Sequence, residues 1–318
     1  METRKLIRLG NSSFAVSLPK KWLETNKLKK GDIVFFENSN GNLVVTSKER
    51  SDNFVEKSGE VKVGSKSEDA LVAEISTLYI NNFNFITLED IDSKSKLKSL
   101  KKILDNFMGL EIVEQNNSKV VLKDTLGIEM ISVNEIIRRM DNIVRSMFED
   151  LVEVVDKDKI QTKLLISIAD TDKDVNKLYF LIWKLIRRGL SDEREAKILG
   201  SDSIGLSSLQ WLAMNLECIG DEIKRIARFL KEEKLEKDKK ESIKNLFAEV
   251  KKNYEDAMTS YYKNDKELAL GVAFENDKVT IEKINKFSKS ESSNIARITE
   301  RLKTIQGAIH YITRGVSY

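Results

Sequence analysis

A single proline in 318 residues, Pro19, is the strongest constraint on what this chain can fold into. Average usage near 5% would place about 16 prolines in a chain of this length. Proline interrupts helices because it has no N–H to donate and its ring collides with the preceding turn. A chain almost free of it, and rich in Lys, Glu, Leu and Ile, is suited to long, unbroken helices.

Hydrophobic residues make up 41% of the chain, enough for packed cores, and the length suggests two to three domains of about 100–200 residues each. No stretch approaches the roughly 20 apolar residues that span a bilayer, so no membrane insertion is expected. The opening Met-Glu-Thr-Arg-Lys-Leu-Ile-Arg has no apolar signal core, and a cytoplasmic address is expected. One cysteine, Cys218, and one histidine, His310, exclude a disulfide framework and Cys- or His-rich metal sites. Cys218 reads as a buried small residue and His310 as a packing or helix-dipole residue. With no evident nucleophile and no phosphate-gripping loop, the chain is not expected to be an enzyme.

The net charge of +3 conceals an asymmetry. Residues 1–50 hold ten basic and five acidic side chains, a local charge of +5, which leaves −2 for the rest. Charge gathered at one end suits a polyanionic partner, or is simply a basic terminus with none.

The first 50 residues read as short strands. Lys5–Leu9, a Gly10-Asn11-Ser12-Ser13 turn and Phe14–Leu18 precede a short helix opened by Pro19 and running to about Asn26. Ile33–Glu37 and Leu43–Thr46 flank Asn40-Gly41, a strong hairpin signal. So small a unit is marginal alone and should gain its core by dimerising. Gly10-Asn-Ser-Ser-Phe-Ala-Val-Ser-Leu-Pro-Lys-Lys-Trp22 and Leu28-Lys-Lys-Gly-Asp-Ile33 resemble the AbrB/MazE (SpoVT-AbrB) swapped-hairpin family. The resemblance implies a DNA-binding and dimerisation domain over 1–50, a homodimer of interlaced hairpins whose basic arm contacts DNA. Arg4, Lys5 and Arg8 would then meet phosphates or the major groove. Asn11, Ser12 and Ser13 would supply hydrogen bonds at the hairpin tip, and Lys20 and Lys21 secondary phosphate contacts.

After a polar stretch, residues 55–125 give the order βαβαββ, a small α+β domain. From 133 to 318 the pattern is helical. Ser132-x-x-Glu135 is a capping box. Apolar stripes stepping by three and four residues mark helices at 134–155, 160–188 and 204–231; three more are expected at about 242–263, 266–288 and 291–314. Aligning Glu217 with Glu300 brings the two sets into register as repeats, one over 134–232 and one over 242–314. The expected fold is therefore multidomain and mainly α, with a β hairpin domain, an α+β domain and a six-helix bundle in two three-helix repeats.

Two carboxylate pairs lie at i, i+4 spacing beside the apolar stripes: Asp170 with Asp174, and Glu217 with Asp221. Stacked like charges repel, and a bound cation with oxygen ligands would relieve them. The alternative is ion pairing with Lys173, Lys177, Lys224 and Arg225, which follow three or four residues later. Gly220, inside the same helix, costs roughly 1 kcal/mol against Ala and would be kept for close helix approach or ligand room.

Asp170-Thr-Asp-Lys-Asp-Val-Asn-Lys-Leu-Tyr179 followed by Glu217-x-x-Gly-Asp-x-x-x-x-Ile-Ala227 is similar to a PhoU repeat. That resemblance implies a divalent or trivalent metal ion (Mg, Mn, Fe or Zn) on Asp170, Asp174, Glu217 and Asp221. In the second repeat Lys303 and Thr304 stand where Gly and Asp would be, so one site per chain is expected. The combination resembles archaeal PhoU-related regulators with an AbrB-like domain. It implies a dimeric DNA-binding regulator of phosphate uptake or homeostasis, with the bundle as metal-binding sensor and interaction module. The alternative is a PhoU-type adaptor that controls a phosphate transporter component or signalling kinase by protein contact, without DNA.

Overall fold

The computed structural model describes residues 2–39, 42–47, 56–127, 131–156, 162–232, 237–288 and 293–317. The chain divides into two units, Met1–Glu56 and Lys57–Tyr318.

In the first unit β1 (Ile7–Leu9) pairs antiparallel with β2 (Ser13–Ala15) around Gly10, whose φ of +69° is one that glycine adopts freely. Both strands are shorter than the apolar runs suggest. Helix α1 (Lys20–Thr25) follows Pro19. Asp32 then accepts a 2.6 Å hydrogen bond from the Lys29 N–H and closes the turn into β3 (Phe35–Ser39), which pairs antiparallel with β4 (Asn42–Thr46). The Asn40-Gly41 signal lies outside the described residues. No described side chain in this unit is buried.

The second unit opens with the expected α+β order: β5 (Ser58–Lys62), α2 (Glu68–Ile80), β6 (Phe85–Glu89), α3 (Lys94–Leu104), β7 (Leu110–Gln115) and β8 (Val120–Asp124). The sheet order is β5-β6-β8-β7, with β5 parallel to β6 and the other pairs antiparallel. Ser67 and Ser93 cap the two helices by accepting from the N–H groups of Ala70 and Lys96. Both helices cover one face of the sheet, over a core of Val61, Ile75, Ile86, Leu88, Leu100 and Leu122.

The rest is helical: α4 (Val133–Asp156), α5 (Thr162–Ser191), α6 (Glu193–Ile198), α7 (Ser203–Glu232), α8 (Lys237–Lys263), α9 (Lys266–Leu270), a π-helical turn (Gly271–Asn276), α10 (Asp277–Ser288) and α11 (Ser293–Ser317). The predicted stripes form the core: Met140 and Met147 on α4, Ile168, Val175, Ile182 and Leu185 on α5, Leu216, Ile219, Ile223 and Ile226 on α7. Three departures from the sequence reading have local causes. Short α6 is started by Asp192, whose side chain accepts from the Arg194 N–H. Gly189 leaves room for α7 and α6 together, since a Cβ there would lie 2.6 Å from Leu206 and 3.4 Å from the Ala196 backbone. Helix α8 begins at Lys237, ahead of the expected 242, because the charged connector is itself helix-forming. The expected helix 266–288 is interrupted by the π turn, which inserts an extra residue.

Helix α7 packs on α5 and on α11, joining the two repeats. Helix α5 also carries the α+β domain. Phe180 stacks on Phe107 at 5.4 Å between ring centres, and Lys184 pairs with Asp124 at 2.5 Å while lying 4.4 Å from the Tyr79 ring centre. No helix among the described residues is long and apolar enough to cross a membrane.

Candidate functional site

The α5–α7 seam holds the polar centre of the first repeat. Ile168 and Val175 fix which face of α5 turns inward, and Asp172 lies four residues after one and three before the other. It therefore points into the seam with its side chain 5% exposed. From α7, Lys224 reaches across: its Nζ is 2.5 Å from Asp172 Oδ2 and 2.6 Å from Asp221 Oδ1. Arg225 donates to Asp221 Oδ2 at 3.0 Å, and Asn176 donates to Asp172 Oδ2 at 3.0 Å. Burial works against the Lys224 charge, but its bonds to Asp172 and Asp221 outweigh burial and hold it above the ordinary lysine value. Burial raises Asp172, with Lys224 pulling the other way. Glu217, one turn before Asp221, is pushed up to about 7 by burial and then by the negative charges of Asp221 and Asp172.

The expected four-acid constellation does not assemble. Asp170 and Asp174 are exposed, and Asp170 pairs with Lys173 at 2.7 Å. Glu217 and Asp221 do turn into the seam, where they meet Asp172 instead. Among the described residues no group of three or more His, Cys, Asp or Glu side chains is arranged to hold a metal ion. The donor set explains this: an ammonium sits within hydrogen-bond distance of two of the three acids, where a cation with oxygen ligands would have to be. The residues present therefore do not fit the implied metal. Nor does Gly220 make room for a ligand, since a Cβ there would meet Met147 and Val175 at an ordinary 3.7 Å.

Other polar side chains emerge only from the fold. Asp141 on α4, 3% exposed, accepts from the Tyr254 hydroxyl at 2.7 Å, the Tyr262 hydroxyl at 3.0 Å and Arg145 Nε at 2.9 Å. Glu222, also buried, pairs with Arg225 at 2.5 Å and with Arg301 of α11 at 3.4 Å. Both join the repeats. A buried acid inside an apolar stripe, with tyrosines far away in sequence, was the available signal. Of the lone residues, Cys218 is half-buried and His310 packs, with its Nδ1 3.1 Å from the Ala273 carbonyl oxygen.

In the N-terminal unit the candidate DNA-contacting side chains are all exposed. Arg8 folds over the turn, donating to the Gly10 and Asn11 carbonyls at 3.2 and 3.3 Å. Arg4 pairs with Glu2 at 3.0 Å and Lys20 with Glu24 at 3.7 Å, while Lys5, Asn11, Ser12, Ser13 and Lys21 face solvent. Beside them stand Leu6, Ile7, Leu9, Phe14, Ile33 and Phe36, each more than half exposed.

Residues 137–230 match the family model of the PhoU domain, and residues 7–53 match that of MazE, the bacterial antitoxin of antidote–toxin recognition. The crystal structure of PhoU from Pseudomonas aeruginosa aligns with 59% of this chain and 95% of its own, at 16% identity and a TM-score of 0.42, too slight a likeness to carry an argument. No curated protein matches the chain. Most of the first helical repeat is thus similar to a PhoU domain, and the basic hairpin unit that precedes it in the chain is similar to a MazE domain.

Proposed function

We propose that this protein is a homodimeric DNA-binding regulator of phosphate uptake or homeostasis, with its helical bundle serving as the interaction module. The observation that carries the reading is the N-terminal unit, which has no buried side chain among its described residues and exposes a cluster of large apolar residues. Exposed apolar surface of that kind marks an interface, and a second copy would supply the missing core. Two copies bring a charge of about +10 to one ribbon, suited to a phosphate backbone. The PhoU match supports the phosphate connection and the MazE match supports dimerisation and DNA contact. The reading assigns no catalysis.

One observation favours the adaptor reading, in which the hairpin unit only dimerises: Arg8 and Arg4 already have partners within their own chain. Fluorescence anisotropy with promoter DNA across a salt series separates the two. Six contacts per dimer from Arg4, Lys5 and Arg8 give a log–log salt slope of about −5. Arg4→Ala with Arg8→Ala removes four of them and should flatten the slope by about 3.6. A dimer by light scattering that binds no promoter DNA even at low salt would leave the adaptor reading. A monomer would remove both.

A further inference from the structure

We infer that Lys224 is the resident counter-cation of this PhoU-like domain, bridging α5 and α7 through Asp172 and Asp221 and taking the place that a metal ion would otherwise hold. Three acids converge on the seam, Asp172 from α5 with Glu217 and Asp221 from α7, and such a group needs a positive charge to be stable inside a bundle. The lysine supplies it from within. Its Nζ spans the two helices with bonds of 2.5 and 2.6 Å, and its side chain is 16% exposed. Both oxygens of Asp221 are occupied, one by Lys224 and one by Arg225, and Asp172 Oδ2 accepts from Lys224 and Asn176 together. An oxygen-ligated ion at about 2.0–2.6 Å from its donors would have to expel that ammonium first. The lysine is tethered one turn from Asp221, so it competes at a high effective concentration that no free ion matches. The same seam that resembles a metal site in sequence is therefore complete without one, and the bundle should be indifferent to chelators.

The test uses the full-length protein. Elemental analysis after purification, with thermal melts in EDTA and in Mn2+, Mg2+, Zn2+ or Fe3+, should show no stoichiometric metal and no metal-dependent shift in Tm. Lys224→Met should melt several degrees lower in EDTA, and Mn2+ should bind it at least about tenfold more tightly than the wild type, about 1.4 kcal/mol. Wild-type protein that retains one metal per chain and loses Tm in EDTA, with that response abolished by Asp172→Asn, would overturn the inference. So would a Lys224→Met variant that melts like the wild type and ignores Mn2+. If Lys224→Met does not fold, Lys224→Met combined with Asp172→Asn removes both charges. It should fold and gain no Mn2+ response, whereas a rise in the Tm of the double variant with Mn2+ would count against the lysine.

Discussion

Between α5 and α7 the first repeat seats charges: Asp172 and Asp221 against Lys224 and Arg225, with Glu217 beside them. The second repeat places neutral groups in its interior. Asn253 on α8 donates to Thr280 Oγ1 on α10 at 3.0 Å and to Gln306 Oε1 on α11 at 3.2 Å, and Thr280 donates to Glu249 at the edge of the network. Gln306 stands where the alignment puts Ile223, and it is fully buried. The residues aligned with Glu217 and Asp221 have moved to the surface, where Lys303 pairs with Glu300 and the Thr304 hydroxyl bonds the Glu300 carbonyl. The two repeats share a ground plan but solve the cost of buried polarity differently. One uses charges that need each other, the other hydrogen bonds that are weaker one by one and tolerate the loss of a member.

The largest effect should come from the charge the repeats share. Asp141→Ala strands the buried Tyr254 hydroxyl, the half-buried Tyr262 hydroxyl and Arg145, and should cost about 3–5 kcal/mol in urea unfolding. A loss below 1 kcal/mol would mean that the repeats are not joined there. Next, Asp172→Asn should cost about 2–3 kcal/mol and Thr280→Val about 1–2. Equal or reversed losses would erase the distinction between the two polar centres.

Glu217 sharpens the contrast through pH. Its carboxyl is held up to about 7, above its ordinary 4.5, by burial and by Asp221 and Asp172, with Lys224 and Arg225 opposing. Between those values the folded chain binds more protons than the unfolded one, so stability falls as pH rises through this window. Glu217→Gln should remove that slope and leave the protein about 2 kcal/mol more stable than wild type at pH 8. Matched unfolding curves at pH 5 and pH 8 check it; parallel curves for the two proteins would count against the assignment. The smallest effect is Gly220→Ala, for which the space exists, and it should stabilise by about 0.5–1 kcal/mol.

The helices, the α+β order and the charge asymmetry were legible because each rests on a local period or a local count. The polar centre was legible only in part. Glu217, Asp221 and the pairing role of Lys224 and Arg225 followed from spacing on one helix. Asp172 did not, because Thr171 and Asp172 stand three and four residues after Ile168, and both steps are helical. Packing, which the sequence does not state, chose the second, and with it moved Asp170 and Asp174 out to solvent. The π turn was invisible for a related reason. Val272, Ala273, Thr280 and Ile284 are buried while Phe274 and Val279 face out, a stripe that one helical period describes, so nothing in it marks the extra residue. The hairpin strands matched the expected order, but most of their described apolar residues are exposed, and the described residues of the unit supply no buried core.

Helix α5 has a consequence of its own. One flank carries Asp172 into the charged seam; about two and three turns on, Phe180 and Lys184 are locked into the α+β domain through Phe107, Tyr79 and Asp124. It works as a single lever with a load at each end. Any event that tilts or slides it against α7 drags the four-stranded sheet along, because breaking the Lys184–Asp124 grip would strand a charge in a dry joint. The sheet and the charged seam are thus held on one rod.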